Sequence, residues 1–85
     1  MAVELKVPSL HERMEDLPLL VQAILSKISA FHQQALPLIH ADCITKLKYY
    51  HFPGNIRELE NILERALTLC EDGKINPQDI EIPEN

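Results

Sequence analysis

Glycine and aromatic residues are scarce in this chain. Among 85 residues there are two glycines, two phenylalanines and two tyrosines, and tryptophan is absent. β-Sandwiches and β-barrels need many tight turns, and their strands are enriched in aromatic residues. The composition therefore argues against those two fold classes.

Signals for membrane insertion and secretion are also missing. No stretch approaches the roughly 20 apolar residues of a membrane-spanning helix, and the N-terminus lacks the basic-then-apolar pattern of a signal peptide. Without such a signal, Cys43 and Cys70 are expected to be free thiols in a reducing compartment. We expect a cytoplasmic location and no membrane partner.

Motifs for catalysis and metal binding are absent from the sequence. It contains no GxxxxGK(S/T) phosphate loop, no acidic strand end to hold magnesium, and no nucleophile and base at a motif spacing. His11, His32, His40 and His51 suggest a metal site, but neither they nor the cysteines show spacings such as CxxC or HxxxH. The sequence predicts no catalytic activity and no metal site for this chain alone.

Acidic residues outnumber basic residues. The chain has 13 acids and 8 bases, a net charge of −5. DNA phosphates repel such a surface, which argues against nucleic acid as a direct partner. An apolar fraction of 46% with 25% charged residues is ordinary for one small folded domain.

The most informative stretch begins at a turn dipeptide, Pro53-Gly54. Asn55 is a favoured N-cap, and Glu58 stands three residues later, where a capping-box glutamate would reach back to it. The pattern predicts a helix over residues 55–71, with Gly73 as its stop. Its apolar residues recur at helical spacing on one face: Ile56, Leu59, Ile62, Leu63, Ala66, Leu67 and Cys70.

Two further helices and a final helical turn are predicted. Asp16 precedes an apolar stripe that continues to about residue 34, and residues 35–39 form a connection. A helix over 41–51 follows, in which His40 and Ala41 form a poorer cap than Ser-Pro would, and residues 76–79 open the last turn. Three amphipathic helices with short connections must bury their stripes against one another. The expected fold class is all-α, a small three- to four-helix bundle.

Arg57 breaks a local rule. It lies in the first helical turn, where the helix dipole disfavours cations by roughly 0.3–1 kcal/mol. One interpretation is a solvated ion pair with Glu60 at i+3, which the spacing alone favours. The other is an anion site, because free N–H groups at a helix start and a guanidinium fork both suit phosphate.

The stretch FPGNIRELEN, residues 52–61, resembles the (W/F)PGN(V/I)RELEN signature of sigma-54-dependent transcriptional activators, the NtrC-like branch of the AAA+ ATPases. Residues 7–20 are similar to the family's LPPLRER-x-EDIPLL segment, and residues 67–80 resemble its closing segment. The resemblance predicts a helical lid subdomain over 10–82 and a frayed tail over 83–85. Residues 1–9 are predicted to be an extended lead-in that comes from an α/β core missing from this sequence. The abrupt start suggests a piece of a longer protein.

The resemblance implies that Arg57 is the sensor II residue, which reads the phosphates of the nucleotide. It also implies a parent ATPase that uses ATP and magnesium, held by the α/β core of the same chain. Other implied partners are neighbouring subunits of a ring and the sigma-54 RNA polymerase, contacted through the core, with no direct DNA contact by the lid. His11 departs from the family, which usually has arginine there, so any contact of that arginine is in doubt.

Two other classes of function remain open. One is a stand-alone helical protein-interaction module, in which an exposed apolar stripe docks a partner helix. The other is a DNA-binding helix–turn–helix formed by the predicted helices over 41–51 and 55–71, which the acidic side chains disfavour. A phosphate-loop motif upstream in the full reading frame would support the ATPase lid, and its absence would favour the interaction module.

Overall fold

The computed structural model describes residues 16–49 and 55–82, with the side chain of Asn55 left out. Three helices form the bundle that the sequence predicts, and two short strands are added to it. In chain order the elements are α1 (Leu17–Phe31), β1 (Leu38–Ile39), α2 (Ala41–Lys48), α3 (Asn55–Leu69), β2 (Lys74–Ile75) and a 3₁₀ turn (Pro77–Asp79). The predicted lead-in, His11, His51, the Pro53-Gly54 turn and the tail over 83–85 lie outside the described residues.

Helix α1 starts where the sequence predicts and ends earlier. Asp16 is its N-cap residue, but the carboxylate makes no capping hydrogen bond. The helix ends at Phe31 because Gln33 adopts a left-handed conformation with φ of 56°. The Gln34 N–H donates to the Ser29 carbonyl at 2.8 Å and the Gln33 N–H to Ala30 at 3.1 Å. These two bonds form a Schellman motif, which closes the helix before residue 34.

Strand β1 falls within the connection predicted over residues 35–39, and β2 lies just after Gly73, where no strand was predicted. They pair in parallel, with Leu38 opposite Lys74 and Ile39 opposite Ile75. A tight turn leads into β2, in which Asp72 and Gly73 have positive φ values of 56° and 69°. Gly73 therefore serves this turn, which follows the end of α3 at Leu69. A two-residue strand has too few positions to show an alternating pattern in the sequence.

Helix α2 is shorter than predicted and is capped by His40. It ends at Lys48, whereas the predicted helix extended to residue 51. His40 Nδ1 accepts a hydrogen bond from the Asp42 N–H at 3.0 Å. The His40 backbone N–H also donates to the Ile75 carbonyl at 2.9 Å. His40 thus ends the strand pairing and starts α2.

One hydrophobic core joins all the elements. Helices α1 and α3 run in the same direction, as two contacts show: Lys27 pairs with Glu60, and farther along both helices His32 contacts Glu64. The predicted stripes of α1 and α3 supply most of the buried apolar side chains, and α2, β2 and Ile80, which directly follows the 3₁₀ turn, supply the others. The buried set is Leu17, Val21, Ile24, Leu25, Ile28, Cys43, Leu47, Leu59, Ile62, Leu63, Ala66, Leu67, Ile75 and Ile80.

The last segment packs back over the helices. The predicted turn is present as the 3₁₀ turn, in which the Asn76 N–H donates to the Asp79 carboxylate at 2.9 Å. Lys46 Nζ donates to the Pro77 carbonyl at 2.9 Å, and Arg65 Nε donates to Glu81 at 2.6 Å. Within the described ranges, no helix combines the length and the hydropathy that crossing a membrane would require.

Candidate functional site

The start of α3 presents Arg57 to solvent. The helix begins at Asn55, so Arg57 lies in its first turn, and its side chain is exposed. Two residues later Leu59 is fully buried in the core, which fixes the first turn against the bundle. The backbone that carries Arg57 is therefore held in place while its guanidinium remains accessible.

This arrangement suits an anion. The first four N–H groups of an α-helix have no acceptor within the helix, and the helix dipole makes that end positive. The Arg57 guanidinium adds a planar fork of donors that matches phosphate oxygens. Such a site can bind and orient a phosphate group.

The ion pair between Arg57 and Glu60 does not form. Glu60 instead accepts a hydrogen bond from Lys27 Nζ of α1, at 2.7 Å from its Oε2. Within residues 16–49 and 55–82, Arg57 makes no ion pair within 4 Å. The sequence places Glu60 three residues from Arg57, but it does not show that Glu60 faces α1. The sequence also does not show that Lys27 is the partner of Glu60, because the two residues are 33 positions apart.

A groove of about 380 Å³ lies between α1 and α3. The Lys27–Glu60 pair lies on it, and His32 Nε2 contacts Glu64 Oε2 at 3.0 Å farther along the same two helices. Phe31 is 81% exposed beside the groove. The groove is also lined by Ile24, Ile28 and Asn61.

The two cysteines are buried or half-buried, and each thiol is hydrogen-bonded to a backbone carbonyl. The buried Cys43 thiol donates to the Ile75 carbonyl at 3.5 Å, and the half-buried Cys70 thiol donates to Leu67 at 3.3 Å. Burial raises the pKa of both thiols above the ordinary value, which disfavours the reactive thiolate. Across 16–49 and 55–82, no three His, Cys, Asp or Glu residues form a group that could hold a metal ion.

The outward side of α3 is not a basic surface, because three acidic residues, Glu58, Glu60 and Glu64, accompany its two arginines. Glu64 pairs with His32, and Arg65, the second arginine of the helix, is engaged by Glu81. A recognition helix for DNA presents basic and amide side chains to the groove. The structure thus gives the helix–turn–helix interpretation no support.

Comparison with known proteins defines the class. A family model described as the AAA+ ATPase lid domain matches residues 11–83. The chain therefore belongs to the lid domains of AAA+ ATPases, in the form found in sigma-54-dependent transcriptional activators, as the motifs predicted.

The relatives are bacterial regulators. The chain is 50% identical over 80 residues to the response regulator protein PilR of Pseudomonas aeruginosa. The matched stretch covers 94% of this chain and 18% of PilR. It is 44% identical over 72 residues to the Nif-specific regulatory protein of Azotobacter vinelandii, covering 84% and 13%. It is 45% identical over 69 residues to the DNA-binding transcriptional regulator NtrC of Azospirillum brasilense, covering 79% and 14%. The chain spans less than a fifth of the length of these relatives.

Proposed function

We propose that the chain is the nucleotide-responsive lid of a sigma-54 activator and that Arg57 is its sensor II residue. The observation that carries this proposal is the exposed Arg57 in the first turn of α3, with its one acidic neighbour at helical spacing engaged by Lys27. The matching arginine of the RELEN-type motif supports the same assignment. Arg57 would contact the terminal phosphates when the lid closes.

ATP would supply the phosphoryl group, with magnesium, in an α/β core that this chain does not contain. The residues present fit the phosphate end only: the first turn of α3 and Arg57 offer donors. Magnesium at nucleotide sites is usually held by one or two carboxylates together with the phosphates. The family resemblance assigns magnesium and hydrolysis to the core.

The lid passes the state of the nucleotide on as a rigid body. Leu59 and Leu63 of α3 are fully buried in the core shared with α1 and α2. Close-packed interiors transmit displacement because they do not deform continuously. A shift of the first turn of α3 would move the whole bundle against the core and neighbouring subunits of a ring, and the core would act on the sigma-54 polymerase in the cytoplasm.

Replacing Arg57 in the full-length protein tests the proposal. Arg57→Ala should lower ATP turnover, or its coupling to transcription, by roughly tenfold or more, because a charge-assisted phosphate contact contributes on the order of 1.5–3 kcal/mol. Arg65→Ala is the matched control, since it removes an arginine of the same helix that is engaged by Glu81. The measurements are phosphate release and promoter activation.

The isolated chain supplies the second half of this test. Arg57→Ala should change its free energy of unfolding by no more than about 0.5 kcal/mol, as expected for a surface position. Unchanged phosphate release and promoter activation in the full-length variant would exclude the sensor role. A large loss of stability in the isolated chain would make Arg57 a structural residue instead.

The alternative is a stand-alone interaction module, favoured by the exposed Phe31 beside the α1–α3 groove. The two proposals differ in what precedes the lid. A phosphate-loop motif upstream in the full reading frame supports the ATPase. A reading frame without one, together with the absence of ATP turnover, supports the module.

A further inference from the structure

Arg57 has one possible acidic partner within its own helix. Side chains three or four residues apart face each other on an α-helix, whereas adjacent ones do not. The positions at these spacings from Arg57 are Pro53, Gly54, Glu60 and Asn61. Only Glu60 could hold the guanidinium in an ion pair along the helix surface.

Glu60 is held away from Arg57 by α1. Lys27 Nζ lies 2.7 Å from Glu60 Oε2, while no ion pair joins Glu60 to Arg57. The side chains of Lys27 and Glu60 are 70% and 33% exposed. Exposed pairs of this kind contribute little to stability because water and salt screen them. The main consequence of this pair is therefore that Glu60 is not paired with Arg57.

We propose that Lys27 is a positioning residue that occupies Glu60 and so keeps the Arg57 guanidinium available for phosphate. This inference rests on the sensor role of Arg57. Without Lys27, the Glu60 carboxylate pairs with Arg57, and a nucleotide must break that pair before it can use the arginine. The apparent affinity for nucleotide is then the intrinsic affinity multiplied by the fraction of lids whose arginine is still free.

The test uses the full-length protein, with ATP as the probe. Lys27→Met removes the ammonium and keeps a long apolar stem against the groove. Its KM for ATP should rise about 1.5- to 3.5-fold, which is the range expected when two exposed ion pairs of similar strength compete for Glu60. The kcat should stay unchanged, because Arg57 contacts phosphate in every bound complex. Added salt should reduce the difference.

Rescue distinguishes positioning from a merely structural role. Lys27→Met combined with Glu60→Gln should restore the KM, since a neutral amide no longer holds Arg57. Lys27→Met combined with Glu64→Gln is the matched control and should not restore it, because Glu64 lies seven residues from Arg57. Lys27→Arg should behave as the unaltered protein.

The outcomes separate the two proposals. If Arg57→Ala leaves turnover unchanged, the sensor role itself fails. If Arg57→Ala impairs turnover while Lys27→Met has the normal KM, Lys27 has no positioning role. A raised KM in Lys27→Met that Glu60→Gln does not correct, or a fall in kcat instead, also overturns the positioning role.

Discussion

At the scale of single residues, Ser29 is the least satisfied polar side chain of the described chain. It is 2% exposed in the last turns of α1, and its hydroxyl has no hydrogen-bond partner. A buried hydroxyl without a partner costs about 1–3 kcal/mol. The serine is therefore tolerated at the expense of stability.

Replacing Ser29 with alanine should stabilise the chain. We expect Ser29→Ala to raise the free energy of unfolding by about 1 kcal/mol and the Tm by roughly 4–8 °C. Ser26→Ala is the control, because Ser26 is exposed on the same helix and reports only the better helix propensity of alanine. Thermal and urea unfolding of both variants measures the difference. A destabilised Ser29→Ala would mean that the hydroxyl has a partner.

Arg57 shows which residue-level properties the sequence carried. Its place in the first turn followed from the turn dipeptide, the cap signal and the apolar stripe after it, which are all local. The partner of Glu60 did not follow, because Lys27 is 33 residues away and its proximity depends on how α1 packs on α3. The accessibility of the arginine is thus a tertiary property.

At the scale of elements, the junction between β1 and α2 is where the sequence interpretation was weakest. His40 donates its backbone N–H to β2, and its ring accepts from the first turn of α2. Histidine is not among the usual N-caps, so the pattern did not predict the bond. The extended backbone at His40, with φ of −67° and ψ of 139°, gives the ring its position.

Removing the His40 ring should weaken α2. We expect His40→Ala to lower the free energy of unfolding by about 1 kcal/mol, the usual effect of losing an N-cap. His40→Ser should keep most of the stability, because serine can cap the same N–H group. Urea unfolding gives the free energies, and amide exchange at Asp42 reports the local bond. An alanine variant as stable as the unaltered chain would show that the ring does not stabilise the helix.

At the scale of the whole molecule, three amphipathic helices share one core with β2 and the last turn. The last segment is tied to α2 through Lys46 and to α3 through Arg65. Because each element buries its apolar face against the others, none is expected to be stable alone. The bundle should therefore unfold as one unit.

We expect the isolated chain to fold as a cooperative, mainly helical monomer. Far-UV circular dichroism should show helical minima that disappear in a single sigmoidal melt, with the same midpoint when followed by differential scanning calorimetry. A broad melt, or midpoints that differ between the two probes, would contradict this. The Leu47→Ala variant, which leaves a cavity in the core, should lower both midpoints together.

The sequence by itself determined the helices, the buried stripes and the family. Periodicity, turn dipeptides and the FPGNIRELEN motif are encoded in contiguous residues, so they could be read without coordinates. Only the tertiary structure decided the β1–β2 pairing, the His40 cap, the Gln33 helix end and the Lys27–Glu60 contact. The His40 cap and the Gln33 helix end are local backbone arrangements, whereas the other two features join residues more than 30 positions apart. Such distant contacts carry no periodic signal, because they arise from how helices with similar stripes orient around a common core.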